Sequence, residues 1–151
     1  MKIKLLLLSI LALTFFTCKK KDKRSQSEKD EEIITKYISD NGLNATYSGS
    51  GLYYVIKTQG TGVNPNPNST VTVKYDGLLV DGTFFDSSPS TGATFSLANV
   101  IKGWQEGLTY FKKGGKGTLL IPSALGYGSQ KTGNIPPNSV LIFNIELLDV
   151  K

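Results

Sequence analysis

The side chains able to do chemistry in this 151-residue chain are carboxylates, hydroxyls, lysines and a single cysteine, Cys18, because histidine is absent. A Ser-His-Asp or Cys-His arrangement needs an imidazole, and zinc sites built on histidine or on four cysteines need ligands the chain lacks. Any catalysis must therefore rest on carboxylates, hydroxyls, backbone groups or shape. The chain also has one tryptophan, Trp104, and seven tyrosines and seven phenylalanines, Tyr75, Phe85, Tyr127 and Phe143 among them, and Asp86 is one of its carboxylates. Taken alone, such aromatic residues on sheet and helix faces suit a plain core. Asp86, ahead of Ser87-Ser88-Pro89, equally suits a turn residue bonding its own backbone. Ile135-Pro136-Pro137 equally suits a stiff loop with no ligand.

The net charge of +5 invites a nucleic-acid reading, but its distribution argues against one. Residues 51–151 carry eight basic and six acidic side chains, and no basic stripe with interleaved aromatics stands out. Two of the positive charges are Lys2 and Lys4, which precede an apolar run from Leu5 to Phe16. That run is too short to span a bilayer, which takes about 20 residues. A basic start, a short apolar core and a small-residue boundary mark residues 1–17 as a secretory signal peptide. Cys18, directly after it, resembles the lipobox cysteine of bacterial lipoproteins, although Phe15 and Thr17 depart from the usual residues. The resemblance implies lipidation at Cys18 and attachment to the cell envelope, with the domain facing the periplasm or exterior. Residues 18–27 contain no large apolar side chain and read as a solvated, lipid-anchored tether.

Ser27-x-x-Asp30 resembles a capping box, and Ile33, Ile34, Tyr37 and Ile38 recur at three- and four-residue spacing. Residues 28–40 are therefore expected to form an amphipathic helix ended by Asn41-Gly42, with residues 41–50 as a linker. Its apolar face packs on the main domain or on a second copy, so monomer and dimer both stay open. In residues 51–151, strands are expected at Leu52–Ile56, Val71–Tyr75, Leu78–Val80, Thr83–Phe85, Thr118–Ile121 and Val140–Leu148, with a tight turn at Asp81-Gly82. Strict alternation puts Val71, Val73 and Tyr75 on a buried face. One helix is expected from Val100 to Phe111, with Ile101, Trp104, Leu108 and Phe111 on one side. Gly103 and Gly107 weaken it by about 1 kcal/mol each relative to alanine.

At the level of motifs, the chain resembles the FKBP-type peptidyl-prolyl isomerases. The matching pieces are Val73-Lys-Tyr75-Asp-Gly77, Asp81-Gly-Thr-Phe-Phe85-Asp86-Ser-Ser88, Val100-Ile101-Lys-Gly103-Trp104-Gln-Glu-Gly107, Ile121-Pro122, Gly126-Tyr127-Gly128 and Ile135-Pro136-Pro137-Asn-Ser-Val-Leu-Ile-Phe143. They cover most of residues 51–151 in the family's order. The resemblance implies an α+β fold, a curved antiparallel β-sheet wrapped around one short α-helix, here with an N-terminal helical extension. It implies a cleft that receives a proline ring, lined by Tyr75, Phe85, Asp86, Val100, Ile101, Trp104, Tyr127, Ile135 and Phe143. Trp104 would form the floor, and Tyr127 and the Ile101 N–H would bond peptide carbonyls. Asp86, Tyr127 and Phe85 would act on the twisting amide. The implied activity is peptidyl-prolyl cis-trans isomerisation during folding of exported proteins, with no cofactor and no metal. The implied partners are X-Pro segments of unfolded proteins and macrolide inhibitors such as tacrolimus and rapamycin. A non-catalytic chaperone or proline-peptide-binding module of the same fold is the alternative. Ala93, Asn134 and a short segment between Phe95 and Val100 depart from the family pattern and are expected to open or polarise one cleft wall.

Overall fold

The computed structural model describes residues 23–151; the expected signal peptide and Cys18 lie outside the described residues. Helix α1 spans Gln26–Asp40, two residues longer at its start than the hydrophobic pattern indicated. The capping box is also shifted from Ser27/Asp30 to Ser25/Glu28: the Ser25 Oγ accepts the Glu28 N–H at 3.3 Å, and Glu28 Oε2 accepts the Ser25 N–H at 2.6 Å. The sequence carries the same spacing twice, two residues apart. Packing selects the register, because Asp30 and Ile34 are the two buried residues of the helix and both point into the domain.

Seven strands follow: β1 (Thr46–Tyr47), β2 (Tyr53–Thr58), β3 (Thr70–Leu79), β4 (Phe84–Ser87), β5 (Ala93–Ser96), β6 (Lys116–Ile121) and β7 (Leu141–Val150). They form one antiparallel sheet in the order β1-β2-β6-β7-β3-β4, with β5 pairing the other end of β3. The two expected strands at Val71–Tyr75 and Leu78–Val80 are one ten-residue strand. β1 and β5 were not expected; each is short and has a partner on one side only.

Alternation along these strands gives the sheet two covered faces. On the inner face Val71, Val73, Leu119, Ile121, Leu141, Phe143, Ile145 and Leu147 pack with Trp104, Leu108 and Phe111. On the outer face Val55, Leu120, Val140 and Ile142 pack against Ile34, with Tyr37 and Ile38 at the margin. The N-terminal helix thus docks on its own domain.

The expected helix from Val100 to Phe111 is shorter than its periodicity suggested. Helix α2 covers only Lys102–Gly107, and a 3-10 turn, Leu108–Tyr110, completes the segment. The Thr109 hydroxyl donates to the Glu106 carbonyl at 2.6 Å and the Phe111 N–H reaches back to Leu108 O, three residues away, which tightens the last turn. Phe111 is extended rather than helical and still fully buried. The glycines have a packing role: a Cβ on Gly103 would lie 2.5 Å from Ile121 Cγ2, and one on Gly107 would lie 2.7 Å from Leu119 Cδ2. Their absence of side chain lets α2 sit directly on β6.

Candidate active site

Between α2 and the inner face of the sheet lies a cavity of about 290 Å³, near the small end of the range for ligand pockets. It is lined by Tyr75, Asp86, Phe95, Asn99, Val100, Ile101, Trp104, Tyr127 and Phe143. Trp104, on α2, is 4% exposed and makes three edge-on ring contacts. Its centroid lies 5.0 Å from Tyr75, 5.6 Å from Phe95 and 5.3 Å from Phe143, with interplanar angles of 81° to 89°. Each such pair adds about 0.5–1.5 kcal/mol beyond the area it buries, which fixes the orientation of the rings. The Trp104 indole N–H is buried without a hydrogen-bond partner. The floor is built of aromatic rings.

Strand register delivers the sheet residues. Tyr75 on β3 faces Ile145 on β7, and two residues further Gly77 pairs with Phe143 on one side and Asp86 on the other. A Cβ at Gly77 would fall 2.7 Å from the Phe85 ring and 3.0 Å from Phe143, so glycine there makes room for both. Phe85 stacks edge-on against Phe143 at 5.5 Å and does not itself line the cavity. Ile135 is likewise outside the lining, buried in the inner core with 5% exposure.

Tyr75, Asp86 and Tyr127 bring hydroxyl and carboxylate groups to the cavity. The Tyr75 hydroxyl donates to Asp86 Oδ2 at 2.8 Å, while Asp86 Oδ1 accepts the Ser87 N–H at 2.9 Å. Asp86 is not in a turn but within β4, where its carboxylate both bonds the next backbone N–H and lines the cavity. Burial first, and the bond to Asp86 second, push the Tyr75 hydroxyl up to about 12. The Tyr127 hydroxyl is also raised, by burial and by the negative charge of Asp86, so it stays protonated at neutral pH. It makes no hydrogen bond with another described residue and is available to donate. At the opposite wall the Gln105 amide donates to Val100 O at 2.8 Å, and Ile101 O accepts the N–H groups of Trp104 and Gln105. Pinning the Val100 carbonyl fixes the peptide plane that carries the Ile101 N–H.

Of the nine residues expected to line the cleft, seven meet at this cavity. Phe95 and Asn99 join them and were not singled out. Phe95 is brought in by the register of β5, where it pairs with the inner-facing Val71. Asn99 carries no sequence signal; it ends a 3-10 turn, Leu97–Asn99. Ala93 and Asn134 lie outside the lining, so the polar residue in the wall is Asn99.

A larger trough, about 440 Å³, opens on the outer face of the sheet among Lys57, Lys74, Asp76, Lys116 and Glu146. Lys116 is already paired with Glu146 at 3.1 Å, and the trough is lined mainly by charged and small polar residues. Among the described residues no three histidine, cysteine, aspartate or glutamate side chains converge to hold a metal ion.

A single short helix held in a curved antiparallel sheet, with an aromatic cavity between them, defines a domain of the FKBP-like class. Residues 62–148 match the sequence profile of the FKBP-type peptidyl-prolyl cis-trans isomerases. The chain is 48% identical over 134 residues to the FKBP-type peptidyl-prolyl cis-trans isomerase FkpA of Buchnera aphidicola subsp. Schizaphis graminum, covering 83% of this chain and 52% of that protein. The crystal structure of FkpA from Escherichia coli superposes with a TM-score of 0.75 at 43% identity, covering 83% of this chain and 59% of the other. A peptidyl-prolyl cis-trans isomerase from Pseudomonas syringae pv. tomato superposes with a TM-score of 0.71 at 32% identity, covering 86% and 99%. The chain belongs to the FKBP-type peptidyl-prolyl cis-trans isomerase family. It spans about half the length of the curated relatives it matches.

Proposed function

We propose that the protein is an exported peptidyl-prolyl cis-trans isomerase, tethered to the cell envelope through lipid on Cys18, that acts on X-Pro segments of folding exported proteins. The observation that carries the catalytic reading is the division of the cavity into an apolar floor of Trp104, Tyr75, Phe95 and Phe143 and a polar rim of Asp86, Tyr127 and the Ile101 N–H. Rotation about an X-Pro amide breaks its resonance, with a barrier of about 18–20 kcal/mol, and makes or cuts no bond. A catalyst need only bind the twisted amide better than either planar form. The twisted form separates less charge between oxygen and nitrogen, so a dry aromatic floor favours it over water. Tyr127 and the Ile101 N–H donate to the carbonyls of the bound peptide, and Asp86, oriented by Tyr75, sits beside the rotating amide. The same cavity would accept macrolide inhibitors such as tacrolimus and rapamycin. The export and anchoring parts of the reading rest on Lys2, Lys4, the apolar run from Leu5 to Phe16 and the position of Cys18.

The test is cis/trans relaxation of short X-Pro peptides with and without a macrolide inhibitor, with Trp104 fluorescence reporting occupancy. Inhibitor-sensitive acceleration supports catalysis. Fluorescence change without acceleration would replace it with a proline-peptide-binding module. Radiolabelled fatty acid incorporated in wild type and lost in Cys18→Ser tests the anchor; equal labelling would remove it.

A further inference from the structure

Helix α1 lies on the outer face of the sheet and precedes the residues that match the family profile, yet one of its side chains reaches the loop that carries Tyr127. Asp30 is 1% exposed, the one buried charged residue among those described. Its Oδ2 accepts both the backbone N–H of Ser123 at 2.8 Å and the Ser123 hydroxyl at 2.6 Å, and its Oδ1 accepts the Gln26 amide at 2.7 Å. Ser123, itself 2% exposed, opens the 3-10 turn Ser123–Leu125. The Ser123 carbonyl in turn accepts the N–H groups of Gly126 at 3.0 Å and Gly128 at 2.8 Å, the two residues that flank Tyr127. One carboxylate on α1 thus holds the residue whose carbonyl folds the backbone on both sides of the tyrosine.

We infer that Asp30 is a positioning residue for Tyr127, and that α1 is through it a working part of the site rather than a spacer. The inference rests on the isomerase reading for its consequence in activity but not for its consequence in structure. Tyr127 is partly exposed, and its loop is also held by the Gln130 N–H on Tyr127 O at 3.3 Å and the Asn138 N–H on Gly128 O at 2.8 Å; the bonds through Ser123 are the ones that α1 supports. Removing the carboxylate leaves a buried N–H and a buried hydroxyl of Ser123 unpaired, a situation the loop relieves by opening toward water.

The experiment compares the full chain with Asp30→Ala, Asp30→Asn and Ser123→Ala by amide hydrogen exchange and by isomerase assay. In Asp30→Ala the Gly126 and Gly128 amides should exchange about tenfold faster while Leu119 and Ile142 in the sheet stay protected, the pattern of a local opening. The same variant should lose about tenfold in kcat/KM in the wild-type background and almost nothing in a Tyr127→Phe background, since the two losses share one interaction. Asp30→Asn, which keeps one acceptor oxygen, should recover part of both effects. Ser123→Ala, which keeps the backbone bond and removes only the hydroxyl, provides a milder variant if Asp30→Ala does not fold. Uniform faster exchange across the sheet, or unchanged exchange at Gly126 and Gly128, overturns the inference. Additive losses with Tyr127→Phe overturn it as well. A wild-type chain with no isomerase activity would defeat the functional reading, while the exchange pattern would still decide the structural link.

Discussion

Two of the six residues of α2 are glycine, and substituting the first sets two principles against each other. By helix propensity, Gly103→Ala should stabilise the domain by about 1 kcal/mol. By packing, the new methyl would stand 2.5 Å from Ile121 Cγ2 and 2.8 Å from its Cδ1. Ile121 is fully buried and branched at Cβ, so it cannot swing its end away as a lysine would. Either the isoleucine leaves its rotamer or α2 lifts off β6. Forcing a methyl into a filled core costs about 1–3 kcal/mol, and contacts this short belong at the upper end. The net expectation is a loss of about 1–2 kcal/mol, or a midpoint of thermal unfolding lower by about 4–8 °C. Urea unfolding followed by Trp104 fluorescence reads the difference directly. Because Trp104 adjoins Gly103, a lifted helix also disturbs the cavity floor, so affinity for proline peptides should fall with stability. In an Ile121→Ala background the clash disappears and Gly103→Ala should become neutral or stabilising. A gain of about 1 kcal/mol in the wild-type background would refute the argument and leave propensity as the stronger effect.

Three further outcomes follow from the site. Tyr127→Phe should lower kcat/KM about tenfold, the loss expected for one hydrogen bond used at the transition state, with an unchanged unfolding midpoint; undiminished activity would remove the hydroxyl from the mechanism. Asp86→Val should lower activity without unfolding the domain, since the residue is exposed at the rim, and wild-type rates in that variant would reassign the carboxylate to its bond with the Ser87 N–H alone. For Tyr75, the folded hydroxyl is raised from 10.0 to about 12, so the folded chain holds this proton more tightly than the unfolded one. Its contribution to stability is complete below pH 10.0 and is lost as pH rises toward about 12. The stability difference between wild type and Tyr75→Phe should therefore be flat at neutral pH and change only in that alkaline window; a change centred near neutrality would contradict the assignment.

Local pattern carried much of the architecture. Alternation in Val71-Thr72-Val73-Lys74-Tyr75 is a direct consequence of a strand with one face on the core, and Asp81-Gly82 needs the positive φ of 86° that Gly82 adopts. Where pattern was ambiguous, tertiary contacts decided. The two overlapping Ser-x-x-acid spacings are equivalent on an isolated helix, and only the partner of Asp30 on the far side of the sequence separates them. Gly103 and Gly107 read as helix weaknesses because propensity is a property of α2 alone, whereas their reason lies in Ile121 and Leu119 on β6. β5 is too short to announce itself, and it follows a loop rich in serine, proline and glycine; its strand character comes from the free edge of β3 beside it.

The cavity was legible in the same uneven way. The family resemblance grouped Tyr75, Phe85, Asp86, Trp104, Tyr127 and Phe143, but it could not order them by depth, because Phe85 and Phe143 are alike in composition and differ in position. Register settles this: Phe143 pairs with Gly77, whose missing side chain leaves space for Phe85 to lie behind it, supporting the wall from outside the cavity. The unpaired indole N–H of Trp104 belongs to the same logic. A buried donor without an acceptor costs about 1–3 kcal/mol, of which edge-on aromatic neighbours recover only part. In the proposed reading the edge-on rings around Trp104 supply the apolar floor and direction is left to the rim, where the loop that carries Tyr127 is joined to α1 through Ser123 and Asp30.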